Sequence, residues 1–374
     1  MPSTELRNRI IRSARTIVVK VGTAVLARDK GVIDPARIAA LSEQIALLND
    51  RGLHITLVTS GAIGVGVAKA AMPRRPNDLP GLQAAAAIGQ PSLMAEYDHT
   101  LTRHGLHAAQ ILITRSDFES RTRYLNIRNT IQALHRCRAV PIINENDTVA
   151  VEEIRFGEND IIAAQVANLL RADLLIILTT VDGLLDGDGR VVDLVPQVND
   201  DVFRLVRKER SALGTGGMVT KLQAVRLVTQ AGEAAMIANG RENNILIRIL
   251  NGERIGTVFA PAPRKLSSRQ RWIGMTVRAA GIIRIDDGAA AALRRGGKSL
   301  LASGILAVEG DFARGEIVDV TDAKQQRIAR GKTNYDSAEL RRIKGLKSAN
   351  IAQVLGEKPF DEVVHRDNLV LLSE

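Results

Sequence analysis

Short apolar segments alternate with helical segments up to Leu178, and this alternation constrains the fold more than any other feature of the sequence. The apolar segments are rich in Val, Ile and Leu and have strand length, and we predict strands at residues 16–20, 54–58, 108–113, 140–143 and 174–178. We predict helices at residues 35–49, 65–71, 83–101 (broken at Gln90-Pro91), 124–134, 161–170 and 221–231. Alternation at this spacing predicts an α/β fold, in which a mostly parallel sheet is sandwiched by helices.

Polar residues follow several of these strands directly. Lys20 lies at the end of the first strand, Ser60 follows the second, residues 144–147 follow the fourth, and Thr179-Thr180 follow the fifth. Ligands of open α/β sheets bind at the carboxyl ends of the strands, where such residues meet. The sequence therefore predicts one binding site at this edge of the sheet.

Three glycine-bearing segments contribute to the same edge. They read VTSGAIGVG from Val58, IVVKVGT from Ile17 and GTGGMVTK from Gly214. Glycine lets the backbone approach an anion, and the free N–H groups at a helix start point toward it. Any one such turn is a weak signal, and none matches the GxxxxGK[ST] or GxGxxG patterns. Two of the three carry a lysine, which favours a phosphate site over simple packing.

Two polar clusters, residues 144–147 (NEND) and 158–160 (END), flank a short amphipathic stretch at residues 149–156 that we predict to be hairpin-like. Their carboxylates and amides suit polar ligands. The alternative interpretation is structural: Asp147 and Asp160 would be turn or capping residues, and Lys20 would extend its amine from a strand end to solvent.

In this order, the motifs IVVKVGT, VTSGAIGVG, PIINENDTVAVEEIRFGEND, LTTVDGL and GTGGMVTKLQA resemble those of the glutamate 5-kinases, which belong to the amino acid kinase family. The resemblance covers residues 15 to about 262. Residues 281–345 resemble the small β-barrel PUA domain that many bacterial members carry. We therefore expect an amino acid kinase domain at 1–262, a linker at 263–275, a PUA-like domain at 276–358 and a C-terminal tail at 359–374.

The resemblance implies transfer of the γ-phosphoryl group of ATP to the side-chain carboxylate of L-glutamate, the first step of proline biosynthesis. By resemblance, Lys20 and Lys221 stabilise the transferring phosphoryl group, and Asp160 holds the lysines in place. Ser60, Asp147 and Asn159 match positions that bind glutamate. In that reading the hydroxyl and the amide meet carboxylate oxygens, and the carboxylate of Asp147 meets the ammonium group.

The nucleotide site also follows from the resemblance. Its matching residues are Thr179, Thr180, Thr215, Gly216, Gly217, Met218, Val219, Thr220 and both lysines, Lys20 and Lys221. Mg²⁺ would bridge the phosphates through water and ATP, so we expect no metal ligands from the protein. Two positions depart from the family pattern: Thr180 stands where many relatives have aspartate, and Ala24 replaces a frequent hydroxyl residue.

Composition limits the remaining possibilities. With 374 residues the chain is long enough for two domains, and its single cysteine, Cys137, excludes an internal disulfide framework and favours a reducing cytoplasm. No apolar run approaches the ~20 residues of a membrane span. The net charge is +10, and residues 264–374 carry 20 Lys and Arg against 14 Asp and Glu, which permits an anionic partner there.

For partners we expect L-glutamate, feedback inhibition by L-proline and a homo-oligomer, either dimer or tetramer. We expect an assembly or regulatory role for the tail domain rather than RNA binding, because it carries few aromatic residues for base stacking. Two alternatives stay open: a sister kinase that acts on aspartate, N-acetylglutamate, carbamate or UMP, and RNA binding as a second activity.

Overall fold

The apolar segments form neighbouring strands of one sheet in the computed structural model, which describes residues 3–28, 32–150, 159–208, 216–263, 265–295 and 297–372. The strands are β1 Thr16–Val21, β2 His54–Val58, β3 His107–Ile113, β4 Ala139–Glu145, β5 Leu174–Thr179, β6 Leu194–Val195, β7 Ala234–Asn239 and β8 Thr257–Phe259. Within the described residues their order is β3-β4-β2-β1-β5-β7-β8-β6. All neighbours are parallel except β7 and β8, so the predicted mostly parallel sheet is confirmed.

Helices connect these strands and pack against the sheet. They are α1 Ser3–Ser13, α2 Thr23–Leu26, α3 Pro35–Asp50, α4 Ala62–Lys69, α5 Leu79–Thr102, α6 Arg115–Glu119, α7 Arg121–Arg136, α8 Asn159–Leu170, α9 Asp200–Lys208, α10 Gly216–Ala231 and α11 Ile245–Leu250. As the sequence predicts, Asp34 caps α3 by accepting from the backbone N–H of Ala36 at 3.0 Å, with Pro35 in the first turn. The α/β fold therefore follows from local signals.

Strand β1 is central in the sheet and carries the residue that matters most for the site. Its apolar residues are fully buried, and Lys20 is only 6% exposed at the end of the strand. Lys20 is in register with Val58 on β2 and with Ile177 on β5. Because all three strands run in the same direction, the residues that follow them meet at one edge of the sheet.

Helix α5 differs from its prediction. It runs without interruption from Leu79 to Thr102 with Pro91 inside it, whereas the sequence indicated a break at Gln90-Pro91. The proline ring faces solvent, while residues on either side, including Ala86 and Leu93, are fully buried. Burial of this face outweighs the single backbone hydrogen bond that proline removes.

Two helices begin earlier than predicted. Helix α4 begins at Ala62 rather than Val65, because Gly61 takes a left-handed φ of 111° and turns the chain directly into the helix. Helix α10 begins at Gly216, so Gly217 to Thr220 form its first turn and are not a loop. The hairpin-like stretch predicted at 149–156 falls mostly on residues 151–158, outside the described part of the chain.

The chain divides into two units, Met1–Lys265 and Leu266–Glu374. The second has a five-stranded sheet in its described residues, in the order β10-β9-β11-β12-β13, where the strands are β9 Gly281–Ile285, β10 Ile305–Glu309, β11 Ile317–Thr321, β12 Arg327–Lys332 and β13 Leu369–Leu371. Its helices are α12 Ser268–Arg271, α13 Asp287–Arg294, α14 Ser337–Ile343 and α15 Ile351–Leu355. A smaller, β-rich second domain is thus confirmed.

Two segments that the sequence sets apart as linker and tail contribute to this second unit. Within 263–275, α12 leads into a π-helical turn at Trp272–Thr276, and Ile273 packs with Ile317 and Val370. Within 359–374, β13 pairs with β12. Apolar side chains at both ends are buried in this unit, which explains why they do not form free connections. A helix able to cross a membrane is not found in the described part of the chain.

Candidate active site

Lys20 and Lys221 share one buried carboxylate. Asp160 lies in the first turn of α8 and is 1% exposed. Its Oδ1 is 2.6 Å from Nζ of Lys20, and its Oδ2 is 3.1 Å from Nζ of Lys221, which lies in the second turn of α10. Three residues that are 61 to 201 positions apart in sequence therefore form one ion cluster at the predicted edge of the sheet.

Helix α10 fixes its own lysine by local contacts. Nζ of Lys221 donates to the carbonyl oxygen of Gly217 at 3.1 Å, and the Thr220 hydroxyl donates to Asp160 at 3.2 Å. The i to i+4 spacing between Gly217 and Lys221 is what one helical turn provides. Thr220, predicted as a nucleotide contact, therefore contacts the carboxylate of the ion cluster.

Burial and charge act in opposite directions on this cluster. Burial favours the protonated carboxyl of Asp160, but the two lysines outweigh it and hold the pKa of Asp160 below its usual value. Burial lowers the pKa of Lys20, Asp160 opposes that change, and Lys221 adds to it. With both lysines protonated, the cluster carries one net positive charge that an anionic ligand would balance.

Glycines leave space beside both ammonium groups. A Cβ added at Gly22 would lie 3.4 Å from Nζ of Lys20, and one added at Gly217 would lie 3.8 Å from Nζ of Lys221. A side chain at either position would therefore occupy volume next to the amine. The arrangement suits a phosphate group, which needs close approach to backbone and cation together.

A second group of polar contacts is centred on Asn159, the residue directly before Asp160 in the sequence. The Nδ2 of Asn159 donates to Oγ of Ser60 at 2.8 Å and to the carbonyl oxygen of Thr59 at 3.0 Å. Because the carbonyl oxygen of Thr59 can only accept a hydrogen bond, it fixes the orientation of the Asn159 amide. The Oδ1 of Asn159 is buried without a partner among the described residues. Asn159 can therefore accept from a ligand, while Ser60 keeps its hydroxyl hydrogen to donate.

This finding changes the role expected for Asn159. The resemblance suggested that its amide would donate to carboxylate oxygens, but the two amide hydrogens already point at Ser60 and Thr59. The free oxygen suits a donor such as an ammonium group.

Two residues outside the predicted site support this group. The Nδ2 of Asn144 donates to Oε1 of Gln90 at 2.8 Å, and Oδ1 of Asn144 lies 3.4 Å from Nδ2 of Asn159. The sequence placed Asn144 at a strand end but gave no role to Gln90, which it assigned to a helix break. Its place as a polar residue among the Ala, Ile and Leu residues of this helical stretch was a signal in the sequence, but the predicted break concealed it.

The remaining predicted residues lie at the same strand and helix ends. Asp147 is half-buried in the turn after β4, Thr179 ends β5, and Thr180 is exposed directly after it. Gly216, Met218 and Val219 lie in the first turn of α10. Thr215 is outside the described residues. No group of three or more His, Cys, Asp or Glu that could hold a metal ion is found among the residues that the structure describes.

Comparison with known proteins identifies the family. The amino acid kinase family matches residues 15–239, and the PUA domain matches residues 281–355. The chain belongs to the amino acid kinase family.

Within that family, the chain is similar to several glutamate 5-kinases over nearly its whole length. The chain is 47% identical over 363 residues to the glutamate 5-kinase of Caldanaerobacter subterraneus subsp. tengcongensis, covering 96% of this chain and 98% of the relative. It is 42% identical over 374 residues to that of Syntrophus aciditrophicus, covering 98% and 97%. The resemblance stated from the motifs is thereby confirmed.

Among solved structures, a carbamate kinase from Giardia lamblia bound to AMP-PNP aligns over 67% of this chain and all of its own length. The TM-score is 0.49 and the sequence identity 16%. The family assignment therefore depends on the sequence relatives.

Proposed function

We propose that this chain transfers the γ-phosphoryl group of ATP to the side-chain carboxylate of L-glutamate, which yields γ-glutamyl phosphate and ADP and begins proline biosynthesis. The observation that carries the proposal is the buried Lys20–Asp160–Lys221 cluster beside the Ser60–Asn159 pair. The identity of 42–47% to glutamate 5-kinases over nearly the whole chain supports the same activity.

The chemistry asks for charge neutralisation and positioning. The glutamate carboxylate is already an anionic nucleophile, so no general base is needed. One carboxylate oxygen forms a bond to the γ-phosphorus as the bond from that phosphorus to the β-phosphate oxygen breaks, and ADP takes the electron pair. Two ammonium groups near the phosphoryl oxygens reduce the repulsion between the two anions. Lys20 and Lys221 have that role. Asp160 holds their ammonium groups in place, one at each of its two carboxylate oxygens.

The acceptor amino acid is held by complementary groups. The Ser60 hydroxyl donates to a carboxylate oxygen of glutamate, and Oδ1 of Asn159 accepts from its ammonium group. The carboxylate of Asp147 also faces that ammonium in this proposal. These assignments explain why a carboxylate, an amide oxygen and a hydroxyl occur together at this edge of the sheet.

Mg²⁺ enters this proposal with the nucleotide. The described residues offer no cluster of acidic or histidine ligands for a resident ion, and a phosphate-bound ion that keeps several waters needs none. Thr179, Thr180, Thr215 and the first turn of α10 would contact the nucleotide.

A panel of acceptors tests the proposal against the sister activities. ADP formation should require L-glutamate and Mg²⁺ together, and aspartate, N-acetylglutamate, carbamate and UMP should give little. Faster turnover with any of these four than with glutamate would refute the assignment.

We further propose inhibition by L-proline in competition with glutamate. Proline carries an α-carboxylate and a secondary ammonium group, which suit Ser60 and Asn159, but it has no side-chain carboxylate to phosphorylate. Added proline should raise the KM for glutamate and leave the limiting rate unchanged. A fall in the limiting rate with no change in KM would place proline at another site.

For the second unit we propose a role in assembly or regulation of a homo-oligomer. Tyr335, its one tyrosine, is buried and donates its hydroxyl hydrogen to the carbonyl oxygen of Phe360. Phe312 is 5% exposed. Neither of these two rings is therefore free to stack on a nucleic-acid base, and Phe360, at 45% exposed, is the one phenylalanine of this unit that could. The single, unpaired cysteine supports a cytoplasmic location.

A further inference from the structure

Helix α5 carries two large polar side chains, Gln90 and Tyr97, on its buried face; Thr100 is a third buried polar residue of the helix. Gln90 is 7% exposed and Tyr97 is fully buried, and between them lie the buried Leu93 and Met94. Residues seven apart on a helix lie on the same side. Both polar groups therefore point to the same side of α5, and each reaches a different chain segment at the carboxyl edge of the sheet.

Gln90 reaches the carboxyl end of β4. Its Oε1 accepts a hydrogen bond from Nδ2 of Asn144 at 2.8 Å. The Oδ1 of Asn144 accepts from the backbone N–H of Glu145 at 2.9 Å. That backbone group can only donate, so it fixes the amide orientation of Asn144 and requires an acceptor at Gln90. Oδ1 of Asn144 also faces Nδ2 of Asn159, 3.4 Å away. The contacts form a continuous path from α5 to the residue that meets the acceptor substrate.

Tyr97 reaches the loop after β2. Its hydroxyl forms a 2.8 Å hydrogen bond with Oγ1 of Thr59. The carbonyl oxygen of that same threonine accepts from Asn159, and the next residue, Ser60, accepts from Asn159 as well. Both polar groups of α5 therefore converge on Asn159 by independent routes.

Backbone contact fixes the position of α5 relative to the same loop. A Cβ on Gly66 would lie 1.7 Å from the carbonyl oxygen of Ala85, and one on Gly89 would lie 1.9 Å from that of Ala62. Helices α4 and α5 thus touch through their glycines, and α4 begins directly after Ser60-Gly61. A shift of α5 would therefore move this loop.

Gln90 also has a cost that packing does not explain. Its Nε2 is buried with no partner among the described residues. An apolar side chain of similar size would fill the same space without an unpaired donor. An apolar side chain could not accept the hydrogen bond that Oε1 of Gln90 accepts from Asn144.

We propose that Gln90 and Tyr97 are positioning residues, which hold Asn159 and Ser60 in the geometry that binds the acceptor amino acid. The inference rests on the proposed function, because it assigns Asn159 and Ser60 to that substrate. Among the residues that the structure describes, no hydrogen bond or ion pair joins Lys20, Asp160 or Lys221 to α5, so we expect the nucleotide side of the site to be independent of this helix.

The test compares Gln90→Met, Tyr97→Phe and the control Leu93→Ala in the full chain, with the KM for glutamate, the KM for ATP and the melting temperature as readouts. Gln90→Met should raise the KM for glutamate about tenfold, the factor that one lost buried hydrogen bond gives. Tyr97→Phe removes only the hydroxyl oxygen, and with it one hydrogen bond, so the KM for glutamate should rise roughly threefold. Leu93→Ala should lower the melting temperature and leave both KM values unchanged.

The outcomes separate this inference from the proposed function. If the wild-type protein does not phosphorylate glutamate, the proposed function is wrong. If it does, and Tyr97→Phe and Gln90→Met leave the KM for glutamate unchanged or raise the KM for ATP equally, the positioning role is wrong. If Gln90→Met does not fold, the test depends on Tyr97→Phe alone: the positioning role requires its KM for glutamate to rise more than its KM for ATP.

Discussion

Replacing Asp160 with asparagine removes the charge that two buried lysines share. The side chain of Asp160 is 1% exposed and that of Lys20 is 8% exposed, so neither group can turn to water. Removing one partner of a buried ion pair costs about 3–5 kcal/mol. For a unit of this size the melting temperature should fall on the order of 10 °C. Asparagine keeps the shape, so the loss comes from charge and not from a cavity.

A double variant isolates the cause. In Asp160→Asn with Lys20→Met, no unpaired ammonium group stays buried on β1, and most of the lost stability should return. The control Asp201→Asn removes a carboxylate that is 72% exposed and paired with Arg204, and it should change stability by less than about 1 kcal/mol. Calorimetry or urea unfolding measures all three. A double variant as unstable as the single one would refute the idea that an unpaired Lys20 causes the loss.

The pH dependence of Asp160→Asn gives a second check with a defined sign. Burial already holds the pKa of Lys20 below its ordinary value, and loss of Asp160 removes the group that opposes this shift. A lysine whose pKa is lower in the folded state destabilises the fold below that pKa and does so less as pH rises. The stability deficit of the variant relative to wild type should therefore shrink as pH rises toward the ordinary pKa of lysine, about 10.4. A deficit that grows over this range would contradict the assigned electrostatics.

Further predictions concern the two substrates and the second unit. Lys20→Met and Lys221→Met should each lower kcat by roughly 10²–10³-fold, because they stabilise charge in the transition state; an effect on KM for glutamate alone would contradict this role. Asp147→Ala should raise the KM for glutamate far more than the KM for ATP, and equal changes would remove it from the acceptor site. A chain that ends at Lys265 should keep glutamate-dependent ADP formation, because every proposed ATP and glutamate contact precedes that residue; an inactive but folded fragment would show that the second unit completes the site.

The strands and the position of the two lysines at the edge of the sheet were predictable because their signals are local. An apolar run that ends in Lys20, and glycines before Lys221, are visible in the sequence and need only the rule that parallel strands end at one edge. That Asp160 holds these lysines was implied by the family resemblance and not by local pattern. The family resemblance assigned roles to these residues, and the structure supplied the contacts.

The support behind the site was not predictable from local pattern. Pro91 indicated a break in a helix that tertiary packing keeps continuous, and the error hid Gln90. The donor direction of the Asn159 amide depends on Thr59, a hundred residues away, which no periodicity reveals. The same limit applies to the linker and tail, since Ile273 and Val370 are buried by residues far from them in sequence.

Trapping of the product tests the central claim most directly, because it reports which atom receives the phosphoryl group. With ATP, Mg²⁺ and L-glutamate, added hydroxylamine should convert the acyl phosphate to the γ-hydroxamate of glutamate, in an amount equal to the ADP formed. Lys20→Met should form neither product above background. ADP formation with no γ-hydroxamate, or hydroxamate at the α-carboxyl group, would contradict phosphoryl transfer to the side-chain carboxylate.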